Sequence, residues 1–244
     1  MSDARTVFEM GIREYARTPV LLALVVFLPA YFVLLFGRVM PDQPVPVDVV
    51  GTGTLRRNMT AVVAVLMTPM ATALVGGAAG LFLMQSARTV DRRLAIVGAR
   101  VEAVLAARAG VLALAAVVAT LVSVAALATI HVPESPGWFV LATLVVGVLY
   151  GAIGALIGLA LNRLAGVYVL LFGPLLDIFL AQSPLSESSH AVAPYLPAHY
   201  PMQLVFDAAF TTAVDPTNFW WSLAYLAAVL ALAGVVFGYR IRVT

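Results

Sequence analysis

Residues 85–108, QSARTVDRRLAIVGARVEAVLAAR, are the most charged passage in an otherwise oily chain. Five of the fourteen arginines stand here, at positions 88, 92, 93, 100 and 108, with Asp91 and Glu102 among them. Long apolar runs flank the passage on both sides. A charged segment between two runs that can each cross a bilayer is an element at the membrane surface, and its arginines assign that surface to the cytoplasmic side. This reading divides the rest of the chain into spans and loops.

Composition agrees. Of 244 residues, 62% are hydrophobic and only 11% charged, with a mean hydropathy of +1.01. Soluble domains run nearer half apolar and a quarter charged, so the chain reads as an all-α integral membrane protein, a single transmembrane domain over 1–244. There is no cysteine, which excludes disulfides and thiol chemistry. Every basic residue is Arg and none is Lys. That excludes a phosphate-loop lysine, a Schiff-base lysine and a Ser–Lys dyad.

Working outward from 85–108, hydropathy places six spans at about 19–40, 60–84, 106–130, 138–161, 164–181 and 218–239. Ahead of the first, residues 1–18 can form an amphipathic helix, with Arg5, Glu9, Arg13 and Arg17 on one arc and Val7, Phe8, Gly11, Ile12 and Tyr15 opposite. Such a helix lies in the headgroup layer. The first apolar run is too long for a signal-peptide core and no small-residue cleavage site follows it. Pro29 is expected to kink the first span and Pro69 to interrupt the second. Residues 41–58, PDQPVPVDVVGTGTLRRN, read as an external loop, and Asn58-Met59-Thr60 forms a glycosylation sequon at its end. Gly147, Gly151, Gly154 and Gly158 share one face of the fourth span, and Gly76, Gly77 and Gly80 permit close approach on the second. Asn162-Arg163 is a minimal turn. Within the long segment 182–217, residues 200–212 are apolar but too short to cross, and read as a half-inserted helix.

Six spans return both termini to the side of 85–108. Eleven arginines fall on that side (5, 13, 17, 88, 92, 93, 100, 108, 163, 240, 242) and three on the other (38, 56, 57). The positive-inside rule makes the first side cytoplasmic, which places the chain as a multi-pass protein of the cell membrane.

Reactive chemistry is sparse. Asp177, in GPLLDIFLAQ, is the carboxylate that falls within a span. An ionisable residue at depth is a functional candidate; its structural alternative is a hydrogen bond to a neighbouring helix near the outer surface. His131, His190 and His199 fall in external segments without metal-ligand spacing. No G-x-S-x-G motif is present, so no catalytic, cofactor-binding or metal-binding residue is assigned. The arginine cluster is read as setting topology, with no nucleic-acid partner. Within it, Val90, Leu94, Val97, Val101 and Val104 recur at helical spacing, so the passage is an amphipathic helix, or a helical hairpin prolonging the second and third spans, with a bend at Gly98.

These features, in this order, resemble the membrane-spanning subunit of ABC-2-type transporters. FEMGIREYARTPVLLAL looks like the family's opening interfacial helix, VDRRLAIVGARVEAVLAARAG is similar to its coupling segment, and YLPAHYPMQLVFDAAF looks like its Pro-rich, half-inserted segment before the last span. The resemblance implies a permease that exports a hydrophobic or amphiphilic substrate as a dimer with a second copy or a related permease. ATP and Mg would be bound by two copies of a separate ABC ATPase subunit, so the chain itself is not an enzyme. It further implies that Arg88, Asp91, Arg92, Arg93, Leu94 and Gly98 couple to the ATPase, with Arg13 and Arg17 bracing the opening helix. Asp177, Tyr195, Pro197 and Tyr200 would line or gate the outer path. The chain departs from the family in an Arg-dominated coupling loop without Pro between residues 70 and 132. The competing readings are a secondary carrier using Asp177 and a non-transporting membrane assembly factor.

Overall fold

The computed structural model describes residues 19–49, 53–96, 101–185 and 192–243, with side chains described at 25–47, 49, 53–85, 106, 108–185 and 192–236. Residues Arg13, Arg17 and Gly98 lie outside the described residues. The chain is organised as helix α1 (Pro19–Val39), strands β1 (Pro44–Val49) and β2 (Gly53–Asn58), then helices α2 (Met59–Ile96), α3 (Val101–Leu127), α4 (Pro136–Ala160) and α5 (Arg163–Pro174). A π-helical turn (Leu175–Ala181) prolongs α5. After it come a 3-10 turn (Ala193–Tyr195), the short helix α6 (His199–Phe210) and α7 (Pro216–Val243).

Five stretches are long and apolar enough to cross a membrane: Met59–Gln85, Arg108–Leu127, Pro136–Ala160, Arg163–Ala181 and Pro216–Val236. In α1 the described apolar stretch is shorter, Val25–Val39. The all-α membrane character therefore stands on five helices among the described residues, where the hydropathy pattern suggested six spans.

Helix α2 is the hub. In its apolar stretch 83% of residues are buried inside the protein, against 6% for α7, whose Trp220, Trp221, Leu232 and Val235 face outward. Apolar surface on that scale requires an apolar surrounding. Glycines explain how α2 and α4 come together. A methyl group built on Gly76 would collide with the Gly147 carbonyl, one on Gly80 with the Gly151 carbonyl, and one on Gly154 with the Gly77 carbonyl. The two helices touch backbone to backbone, so the two glycine sets anticipated from spacing are the two sides of one seam. Leu81 closes its end against Gly158, and Gly166 of α5 packs on the Leu81 side chain.

One expectation is corrected and another refined. Pro69 does not interrupt the second span; α2 runs unbroken through it. The hydroxyls of Thr68 and Thr72 bond to Ala64 O and Pro69 O, both at 2.8 Å, and the surrounding helices hold the disturbed turn in place. Within the segment read as an external loop, 44–49 and 53–58 pair as antiparallel strands, from Pro44 with Asn58 to Val49 with Gly53. Pro44 and Pro46 have the same parity. Both can therefore turn their N-less edge away from the partner strand, where no ladder donor is needed. Val47 and Val49 of the alternating partner set are buried. Asn58 of the sequon donates its side-chain amide to Asp42.

At the opposite end, α2 continues as helix to Ile96 and α3 resumes at Val101. Both helices thus reach into the charged passage. A helix of 38 residues is about 57 Å long, while a hydrocarbon core is about 30 Å thick. The excess lies beyond Gln85 and carries Arg88, Asp91, Arg92, Arg93 and Leu94.

Candidate functional site

The polar chemistry of the described residues gathers at the hairpin end, around α6. Residues Pro201, Met202 and 204–210 are buried. A helix leaves about four N–H groups at its start and four carbonyls at its end without intrahelical partners, so each buried end of α6 needs a supply of hydrogen bonds from elsewhere.

The start of α6 is held through Asp177. Seated in the π-helical turn, this carboxylate is 4% exposed. Its Oδ2 accepts from Tyr150 Oη of α4 at 2.5 Å and from the Ala198 backbone N–H at 2.9 Å. A longer contact at 3.5 Å joins Oδ1 to Gln182 Nε2, which also donates to Ala193 O at 3.0 Å. Gln182 Oε1 lies 3.1 Å from His199 Nδ1, and Gln203 Nε2 lies 3.0 Å from His199 Nε2. Burial pushes the His199 imidazole below its usual range, against an opposing pull from Asp177. A neutral ring protonated on Nδ1 satisfies both glutamines at once: it donates to Gln182 Oε1 and accepts from Gln203 Nε2. The wider π turn, closed by Gln182 N–H to Asp177 O at 3.0 Å, begins directly after Pro174, where the chain lacks a donor. Such turns re-aim side chains, and here Asp177 is directed inward between α4 and the segment leading to α6.

The end of α6 is held by a different set. Arg57 of β2 donates from Nη2 to Phe210 O at 2.9 Å, with its guanidinium 5.8 Å from the Phe210 ring centre. His131 Nε2 lies 3.0 Å from Ala209 O. Glu134 N–H reaches the same carbonyl at 3.3 Å, and Ser135 N–H reaches Ala208 O at 2.9 Å. A cation and three further donors at a helix C-terminus complement both its free carbonyls and its dipole.

Of the residues singled out from the sequence, Asp177 is thus brought to α6 and takes the hydrogen-bonded alternative. Tyr200 stacks on Trp221, rings 5.9 Å apart. Tyr195 offers its carbonyl to Tyr225 Oη at 3.4 Å while its side chain is exposed, and Pro197 is half-buried beside it. The coupling residues 88, 91, 92, 93 and 94 lie on the α2 extension, remote in sequence and at the other end of the helix. The sequence reading missed Tyr150, Gln182, Arg57 and the part played by His131. Tyr150 carried the clearest signal: it is a phenol in the middle of a glycine-rich apolar span, and a buried hydroxyl calls for a partner. Among the described residues no group of three metal-ligating side chains occurs.

Compared with known proteins, the chain matches no family model and no curated sequence. Its class rests on its own features. It is an all-α protein of the multi-pass membrane type, built on five apolar helices of spanning length with a short buried helix, α6, at one end.

Proposed function

We propose that the chain is the membrane-spanning subunit of an ABC-2-type transporter, energised by a separate ATPase. The observation that carries this reading is the α2 extension. A single unbroken helix links the glycine seam at the centre of the protein to the arginines at 88, 92 and 93. A rigid helix of that length can pass a push on its charged end to the packed spans. The short helix α6, before the last span, matches in position the half-inserted segment that the resemblance calls for. In this reading the arginine-rich end is cytoplasmic, two ATPases engage two permease copies, and the transported molecule is hydrophobic or amphiphilic. Asp177 has both oxygens engaged by the fold, which supports a clamp rather than the ion relay of a secondary carrier.

The test is co-purification of the tagged chain with an ATPase from its native membrane, followed by R92E/R93E. The double variant is expected to keep thermal stability and the dimer while lowering substrate-stimulated ATP hydrolysis about tenfold, as lost coupling of 1–2 kcal/mol implies. Purification without an ATPase, together with full ATP-driven transport by the variant, overturns the reading.

A further inference from the structure

Asp207 stands in the last turn of α6, the end of a helix where the carbonyl dipoles disfavour negative charge. It is 1% exposed, and its Oδ1 has no hydrogen-bond partner among the described residues. The cation nearest in the network, Arg57 of β2, is directed to Phe210 O, and His131 to Ala209 O. Glu134 contributes only its backbone N–H. Asp215, in the turn before α7, repels Asp207, and its own carboxylate is held by the Thr217 N–H at 2.9 Å. His199 is at the far end of α6, engaged by two glutamines. From α2, α4, α7, β1 and the 3-10 turn, the described side chains supply no charged group and three titratable ones, Tyr150, Tyr195 and Tyr225; Tyr150 is bonded to Asp177, Tyr225 to Tyr195 O, and the Tyr195 side chain is exposed.

A buried carboxyl with an unpartnered oxygen, at the negative end of a helix and facing a like charge, favours its neutral acid form. We propose that Asp207 is a proton-binding site: the seated last turn of α6 takes up a proton on Asp207, and losing that proton loosens the turn from its cradle. The proton comes from solvent at the hairpin end and returns there, with no covalent step. The ligand is thus a proton and the element it controls is the C-terminal half of α6. The inference holds whatever the chain carries.

Burial, reinforced by Asp215, pushes the Asp207 carboxyl up to about 6. Since the seated value lies above the ordinary carboxylate value, the seated form binds more protons than the loosened one. Its advantage is complete below the ordinary carboxylate range and is lost as pH rises through about 6.

Hydrogen exchange of the full-length protein in nanodiscs, corrected for the intrinsic pH dependence of exchange, tests this directly. Opening of the backbone at 205–212 is expected to increase about tenfold between pH 4.5 and 7. D207N, a neutral near-isostere, should be protected at pH 7 as the unaltered protein is at pH 4.5, with no pH dependence. D215N, which leaves Asp207 in place, should move the midpoint to lower pH. The proposal is overturned by a pH dependence that survives D207N, by one that vanishes in H131Q but not in D207N, or by protection that follows added calcium or sodium at constant pH.

Discussion

The glycine seam between α2 and α4 and the cradle around α6 hold the protein together in opposite ways. At the seam the absence of side chains lets two backbones touch, and dispersion over a close-packed surface holds them. At the cradle the apolar face of α6 is buried, and each of its ends is held in addition by named donors and acceptors. Arg57 and Phe210 are 153 residues apart, His131 and Ala209 are 78 apart, and Tyr150 and Asp177 are 27 apart. The seam has little slack, since a Cβ added at Gly76, Gly80 or Gly154 meets backbone. The cradle is a set of separable bonds whose ends can be released singly, which suits an element that moves.

That contrast can be broken most severely at the seam. Gly80→Val puts two methyls where the Gly151 carbonyl lies. A loss of about 3 kcal/mol is expected, at the upper end for overpacking, read as a lowered detergent melting temperature. The internal control is Gly234→Ala on α7, where a Cβ meets nothing within 4 Å; it should be neutral or slightly stabilising because helical Ala is favoured over Gly. Equal effects at the two glycines would dissolve the distinction between seam and periphery.

Next in size is the start of α6. Asp177→Leu strands the Tyr150 hydroxyl and the Ala198 N–H, with an expected cost of about 2–3 kcal/mol, whereas Tyr150→Phe removes a single donor and should cost about 1 kcal/mol. Because both act on one contact, the double variant should cost clearly less than the sum. Additive effects in thermal unfolding would show that the two groups do not work together. The smallest effect is expected at Arg57→Ala, about 1 kcal/mol from a partly exposed helix-terminal cation. Faster hydrogen exchange should be confined to the last turn of α6, with residues 199–203 unchanged. Loosening of the whole helix would mean that the two ends are not separable.

The regions also differ in how far they could be read in advance. Gly147, Gly151, Gly154 and Gly158 announce a contact face by their own spacing, and Gly76, Gly77 and Gly80 a site of close approach on another span, because helical periodicity is a local property. Asp177 drew attention as a carboxylate within an apolar run, but nothing nearby in sequence pointed to Tyr150 as its donor. Arg57 counted only as a charge on the less basic side. Residues 41–58 were legible only as an external loop for a related reason. Three prolines dominate the stretch, and the alternation of Val45, Val47 and Val49 that builds β1 is the weaker visible signal. Only the paired partner strand shows that Pro44 and Pro46 occupy positions where no donor is missed. Pro69 did mislead, since a proline breaks a helix in isolation but not one that neighbouring helices surround.

By itself the sequence determined the membrane class, the approximate extent of the apolar helices, the charged stretch at 85–108 and the glycine faces. Each of these follows from composition or from a period of a few residues along one helix. Tertiary structure alone decided that the two glycine faces are partners, that 44–49 and 53–58 pair as antiparallel strands, and that α6 is gripped at both ends by residues from four other parts of the chain. Hydropathy measures how each segment prefers its surroundings. It carries no information about which buried donor meets which acceptor, because that choice is made by directional bonds between residues brought together only when the helices pack.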